Sequence, residues 1–171
     1  KSLEEFVQVS VEDLIGKKGS VLEKAQDVVL YGFGRIGRLL TRLIVEESGG
    51  GDNLRLRAIV VRRSSKEDLI KRANLLRTDS VHGPFKGTVR VNQKNEMLII
   101  NGSEVQVIYS DDPSKIDYTR YGIKEALLID NTGVWREKSD LEKHLKCKGI
   151  KKVLLTAPAK GGVKNIVHGI N

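Results

Sequence analysis

The residues with the clearest chemical content are Gly32-Phe33-Gly34-Arg35-Ile36-Gly37, a complete G-x-G-x-x-G. Three glycines at this spacing can turn the chain sharply, bring backbone amides against a pyrophosphate and let a following helix pack closely on the preceding strand. The helix N-terminus then faces the phosphates with unpaired N–H groups. The motif holds a dinucleotide only where a strand enters it and a helix leaves it; elsewhere it is an ordinary glycine turn. A second cluster stands roughly 20 residues further on, where an NAD-binding chain usually offers an acid to the ribose 2′-hydroxyl. Here the sequence reads Val60-Val61-Arg62-Arg63-Ser64-Ser65, with no acid. Val61 leaves room beside the ribose, Arg62 or Arg63 can grip a 2′-phosphate, and serine hydroxyls can complete its hydrogen bonds. Without a ligand the same residues are solvated loop charges and a helix cap. The cluster points to NAD or NADP, with NADP favoured.

The hydrophobic pattern supplies the elements that must position these residues. Asp27-Val28-Val29-Leu30-Tyr31 is a short apolar run ending at glycine, the pattern of a buried parallel strand. Ile36, Leu39, Leu40, Leu43 and Ile44 recur at helical spacing and predict one apolar face, with Gly49-Gly50-Gly51 ending the helix. Residues 54–61 predict a second strand, so the glycine motif lies inside a βαβ unit. Ser64-x-x-Glu67 is a capping-box pattern ahead of a helix carrying Leu69, Ile70, Ala73 and Leu76. Strands are predicted over 88–91, 97–100, 105–109 and 126–130. A helix capped by Ser139-x-x-Glu142 and stopping at Gly149 follows, then strands over 152–156 and 165–170. The expected fold is α/β, a Rossmann-type doubly wound, mostly parallel sheet with helices on both faces, over residues 27–171. Residues 1–26 do not fit this pattern. Ser2–Val7 and Val11–Ile15 read there as two amphipathic pieces ending an N-terminal extension.

Composition narrows the classes of function. A hydrophobic share of 39% and a charged share of 30% are ordinary for a soluble domain. No apolar run approaches the roughly 20 residues that cross a bilayer, and no signal-peptide pattern opens the chain. A single cysteine, Cys147, fits a reducing, cytoplasmic compartment. The net charge of +8 is concentrated in residues 35–94, with 14 basic against 6 acidic side chains. Only Phe85 interrupts that stretch as an aromatic, so the interleaved aromatics of a nucleic-acid surface are missing, and a local site for small phosphorylated ligands accounts for the charge equally well. His82, His144 and His168 have no metal-ligand spacing, so no metal site is expected. His144 reads as a polar helix position, and Cys147, beside Lys146 and Lys148, lacks the context of a nucleophile.

Beyond the glycine motif, Tyr31 to Arg38 resembles the opening of the phosphorylating glyceraldehyde-3-phosphate dehydrogenases. Further matches run in order. Asp79-Ser80-Val81-His82-Gly83 resembles that family's D-S-T-H-G, Phe85–Val89 its F-x-G-x-V, and Asp112-Pro113-Ser114-Lys115-Ile116 its D-P-S-K-I. Asn131-Thr132-Gly133-Val134-Trp135 resembles S-T-G-V-F, Thr156-Ala157-Pro158 resembles S-A-P, and His168-Gly169-Ile170-Asn171 resembles M-G-V-N. The resemblance implies that main-chain groups of Arg35 and Ile36 meet the pyrophosphate. It implies that Asn131, Thr132, Gly133 and Thr156 line the ribose and nicotinamide side. For a full-length enzyme it implies a cytoplasmic homo-oligomer in which a cysteine thiolate adds to an aldose phosphate aldehyde, hydride passes to NAD(P), and phosphate releases the acyl group. The family's cysteine lies in an S-N-A-S-C-T-T-N segment beyond M-G-V-N. The expectation for residues 1–171 alone is therefore cofactor binding without catalysis, the phosphorylated sugar aldehyde meeting a separate catalytic domain. Two departures stand out: Val60-Val61 replaces a common N-D, and Asp111 replaces an arginine that often precedes D-P-S-K-I. Two other readings share these motifs, an erythrose-4-phosphate dehydrogenase and a non-enzymatic NADP(H)-sensing regulator.

Overall fold

The computed structural model describes residues 25–47 and 53–170. Gly49-Gly50-Gly51 and the two pieces before residue 25 lie outside the described residues. The described elements run β1 (Gln26–Tyr31), α1 (Arg35–Glu47), β2 (Leu54–Val61), α2 (Asp68–Arg77), β3 (Thr78–Asp79), β4 (Gly83–Pro84), β5 (Val89–Asn92), β6 (Met97–Ile100), β7 (Ser103–Tyr109), β8 (Ala126–Asp130), α3 (Lys138–Leu145) and β9 (Ile150–Leu155). Short 3-10 turns at Pro113–Lys115 and Tyr118–Tyr121 lie between β7 and β8. Seven strands form one sheet in the order β5-β6-β7-β2-β1-β8-β9, while β3 and β4 make a separate ribbon. The strands from β7 to β9 in that order are parallel, and β5 and β6 add an antiparallel edge. Residues at the carboxyl ends pair with one another: Tyr31 with Val60 and Asp130, and Val61 with Tyr109.

Period-2 alternation in the central strands divides the core between the two faces. Val28 and Leu30 on one side join Ile59, Leu69, Ala73, Leu76 and Ile44, so α1 and α2 cover that face. Val29 and Tyr31 on the other join Val60, Leu128, Tyr118, Ile123 and Cys147, where α3 and the 3-10 turns lie. Burying each of the larger aliphatic side chains is worth about 1.5–3 kcal/mol. Helices on both faces make the sheet doubly wound, as the sequence predicts.

Four details differ from the sequence reading. On α1 the buried residues are Gly37, Thr41, Arg42 and Ile44, with Leu40 and Val45 packed partly buried against the core, while Ile36 and Leu43 are 49% and 52% exposed. Arg42 is buried because its guanidinium bonds the carbonyls of Leu76, in the last turn of α2, and Gly83. It satisfies a helix-end acceptor and so ties α1 to its neighbour. Neither capping box forms. Glu67 and Glu137 occupy the N-cap positions without side-chain caps, and the Ser64 hydroxyl bonds Asp68 instead. The helix predicted to stop at Gly149 ends at Leu145. Residues 165–170 are not a strand: Asn165 folds back to accept from Ala159 N at 3.1 Å, and no ladder partner is recorded for this stretch among the described residues.

Candidate cofactor-binding site

The strand order reverses between β1 and β8, since β2 lies to one side of β1 and β8 to the other. Ligands of open α/β sheets bind in the crevice beyond the carboxyl ends of strands at such a point. The glycine loop lies there. Gly32 has a φ of +93°, and its N–H donates to Val60 O at 2.9 Å. A Cβ on Gly32 would stand 2.7 Å from Thr132 Cγ2, so only glycine lets the β1 and β8 loops close on each other. At Gly37 a Cβ would come within 2.4 Å of Gly32 O, the approach that seats α1 on the loop. At Gly34 a Cβ would meet nothing within 4 Å. The backbone is open to the cleft at that one position, next to the first turn of α1 and its unpaired amides. These features fit a pyrophosphate.

The cleft encloses about 310 Å³ and is lined by Tyr31, Gly32, Phe33, Gly34, Val60, Val61, Arg62, Arg72, Ser110, Thr132, Val134 and Trp135. Of the twelve residues singled out from sequence, Gly32, Phe33, Gly34, Val61, Arg62 and Thr132 meet there. Arg35 and Ile36 lie at the cleft's edge in the first turn of α1, both exposed. Arg63 turns away: it pairs with Glu96, and its guanidinium lies 3.7 Å from the centre of the Tyr109 ring. Arg62 forms no ion pair among the described residues. Tyr31, Val60, Ser110, Val134 and Trp135 line the cleft without having been singled out as site residues, although Ser110 follows directly on β7 and the switch-point rule points to strand ends. Arg72 could be suspected only through its i,i+4 spacing from Asp68.

The loop after β8 is held from below. Asp130 accepts from Thr132 N and Thr132 Oγ1, each at 2.7 Å, and its second oxygen meets His144 Nε2 at 3.1 Å. Asp130 and His144 are both 0% exposed, so the histidine expected on a polar helix face is instead buried under the loop. The His144 ring stands edge-on to Tyr31, 4.7 Å between centres. Thr156 Oγ1 reaches Asp130 O and Asn131 Oδ1. Gly133, at a φ of +66°, lies beside Ala157. Asn131, Gly133 and Thr156 thus form a shelf behind Thr132 rather than part of the cleft wall.

Most of the arginines that made residues 35–94 basic are engaged within the fold. Arg55 and Arg57 pair with Asp27, Arg72 with Asp68, and Arg38 with Asp79 at 3.3 Å. Asp79 also accepts from the backbone of Val81 and of His82, and these bonds, led by Val81, hold its carboxyl far below the usual range. A carboxyl depressed in the fold stabilises fully above its ordinary value, about pH 4, and loses that contribution as pH falls through the folded value. Asp79→Asn should therefore lower stability at neutral pH and flatten the acid limb of a melting-temperature profile. An acid limb as steep as wild type would remove Asp79 from that role. Cys147 is buried against Pro113 O, and burial pushes its thiol pKa up, the opposite of an activated nucleophile. Among the described residues no His, Cys, Asp and Glu group could hold a metal ion, and no helix is long and apolar enough to cross a membrane.

Fold and cleft together define a class, the doubly wound dinucleotide-binding domain. Comparison with known proteins narrows it. Residues 26–138 match the family described as glyceraldehyde 3-phosphate dehydrogenase, NAD binding domain. A "Glyceraldehyde-3-phosphate dehydrogenase-like protein" of Pseudomonas aeruginosa (strain UCBPP-PA14) is 60% identical over 171 residues, 100% of this chain and 37% of the relative. The glyceraldehyde-3-phosphate dehydrogenase of Thermotoga maritima is 39% identical over 144 residues, 84% of this chain and 40% of the relative. The glycosomal enzyme of Crithidia fasciculata is 34% identical over 151 residues, with 84% and 40% covered. The chain belongs to the glyceraldehyde-3-phosphate dehydrogenase family and carries its NAD-binding domain. It spans well under half the length of these relatives.

Proposed function

We propose that residues 27–171 form the cofactor half of a cytoplasmic, homo-oligomeric dehydrogenase that oxidises and phosphorylates an aldose phosphate aldehyde, and that NADP binds at least as well as NAD. Residues 1–26 end an N-terminal extension of that enzyme. The observation that carries the cofactor reading is the tip of β2, where Val61 and Arg62 line the cleft without an acid. A carboxylate there would repel a phosphate dianion, whereas a guanidinium grips it through two parallel hydrogen bonds. Arg63, engaged by Glu96 and Tyr109, stands behind Arg62 in this role.

In this reading each part of the cleft has its own task. The amides of Arg35 and Ile36 meet the pyrophosphate beside the open backbone of Gly34. Thr132, backed by Asn131, Gly133 and Thr156, orients the ribose and nicotinamide side, and Tyr31, Val60 and Trp135 exclude water from the floor. The bound nicotinamide supplies hydride acceptance. Cys147 takes no part, and the nucleophile and sugar phosphate site belong to the catalytic half of the enzyme.

The full-length protein, assayed with glyceraldehyde 3-phosphate, phosphate and either cofactor, tests both parts. We expect turnover, with kcat/KM for NADP equal to or above that for NAD. Arg62→Ala should lower the NADP value by roughly tenfold to a hundredfold, about 1.4 kcal/mol per decade, with NAD changed less than about twofold. Raising the salt should shrink that gap. Equal losses for both cofactors would mean that Arg62 only shapes the loop, and a clear wild-type preference for NAD would overturn the cofactor reading.

A further inference from the structure

Arg72, on α2, lines the same cleft as Arg62. Its Nε bonds Asp68 Oδ2 at 2.5 Å, and its Nη2 reaches Asp68 Oδ1 at 3.1 Å and the Arg62 carbonyl at 2.7 Å. Nη1 makes no recorded hydrogen bond among the described residues, so its two donors are unspent. The Arg72 side chain is 17% exposed and that of Asp68 only 1%. Ser64 Oγ gives Asp68 a further hydrogen bond. A carboxylate therefore does stand near the tip of β2, one helical turn before Arg72, but it is buried, doubly bonded by a guanidinium and neutralised. Burial would raise the Asp68 pKa, yet the bonds from Arg72 and Ser64 outweigh it and keep the group ionised.

We propose that Arg72 is a specificity-determining residue for the cofactor: with Arg62 it forms a two-arginine clamp for a ribose phosphomonoester, and by pairing Asp68 it cancels the charge that would reject that phosphate. The proposal rests on the reading that this cleft takes NADP. The two arms differ in kind. Arg62 is exposed and forms no ion pair among the described residues, so it closes on a ligand at the expense of side-chain freedom. Arg72 is fixed before binding by Asp68 and by the Arg62 carbonyl, so its remaining donors are preorganised. Fixing that carbonyl also sets where the Arg62 backbone leaves β2. Loss of Arg72 would act twice, removing a cation from the clamp and exposing Asp68 as an unpaired carboxylate beside the phosphate.

Calorimetric titration of the full-length protein with adenosine 2′,5′-bisphosphate and with AMP isolates the 2′-phosphate. Wild type should favour the bisphosphate. Arg72→Gln should weaken the bisphosphate by about a hundredfold and AMP by less than about threefold, since one charge-assisted pair is lost and one repulsion gained. Adding Asp68→Asn to Arg72→Gln should recover about tenfold for the bisphosphate alone, because the repelling charge is gone. Arg72→Lys keeps the cation, loses the two-pronged grip on Asp68, and should fall between; it carries the comparison if Arg72→Gln does not fold. Equal losses for the two probes in these variants would reduce Arg72 to a prop for the loop and overturn the clamp. So would a bisphosphate preference that survives Arg72→Gln yet is abolished by Arg62→Ala, while leaving the NADP reading intact. A wild type indifferent to the 2′-phosphate would overturn both.

Discussion

Gly34→Val is expected to abolish dinucleotide binding, by about a hundredfold or more, in a protein that melts within a degree or two of wild type. The two halves of that result come from one observation: a Cβ at Gly34 meets no protein atom within 4 Å. Nothing in the fold resists the new side chain, so stability holds. The space it fills is the opening between the glycine loop and the first turn of α1, where the pyrophosphate would lie. Gly37→Val should do the reverse. There the Cβ would approach Gly32 O to 2.4 Å and Gly32 C to 3.2 Å, a collision of backbone with a branched side chain that no rotamer relieves. A loss of about 3 kcal/mol in urea unfolding is expected. Parallel unfolding and titration of the two variants give the comparison. Normal cofactor affinity in Gly34→Val would show that the loop is not the phosphate site.

Asp130→Ala should cost about 3 kcal/mol and also weaken cofactor binding. The carboxylate serves Thr132 N, Thr132 Oγ1 and His144 Nε2 at once, from a position with no solvent contact. Its removal strands three donors, and a buried unsatisfied group costs about 1–3 kcal/mol. Thr132 is partly exposed and recovers some of this from water, whereas His144 cannot. Asp130→Asn retains an acceptor for Thr132 but presents an amide to His144, which accepts it only in one tautomer, so a smaller loss is expected. Asp130→Ala with His144→Ala should lose less than the two single losses added, because each partner left alone is the greater liability. Strict additivity would mean that the contact between them contributes nothing.

The glycine loop and the Asp130 support differ in how plainly the sequence announces them. The strands β1, β2 and β8 contain continuous runs of aliphatic residues, Val28–Leu30, Ala58–Val61 and Ala126–Ile129, because both their faces are covered there, and that burial is what makes them legible. The glycine motif is legible for a related reason, since each glycine answers a local demand of turn, approach or packing. Most of what escaped depends on partners on other elements. The apolar stripe of α1 suggested that Ile36 and Leu43 face inward, but the close approach at Gly37 and the buried Arg42 rotate the helix's contact toward Thr41 and Ile44. His144 is buried because Asp130 stands beneath it on another element, and spacing along α3 carries no trace of that. Arg62 and Arg63 are adjacent and identical in type. Alternation about β2, and the positions of Glu96 and Tyr109, decide which of them reaches the cleft. The pattern Ser64-x-x-Glu67 promised a capping box, yet Asp68, one residue later, accepts from both the N–H and the hydroxyl of Ser64.

The placement of the cleft also bears on the order in which the chain folds. β1 and β2 are joined through one helix, so that half can assemble from neighbouring residues. β1 and β8 meet only after a long intervening stretch has closed: Gln26 and Glu125, bonded at 2.9 Å near the start of the two strands, are 99 residues apart. The entropy of closing such a loop falls due before any contact across it is made, and pairings of this kind form late. The proposed dinucleotide crevice spans the seam between those two strands, so a chain that has not closed the loop would lack one wall of it. Added cofactor should then act as a brake on unfolding and leave the refolding rate nearly unchanged, the signature of interactions absent from the folding transition state. At a hundred times its dissociation constant the stabilisation would be about 2.7 kcal/mol, all of it expressed in the lifetime of the native state.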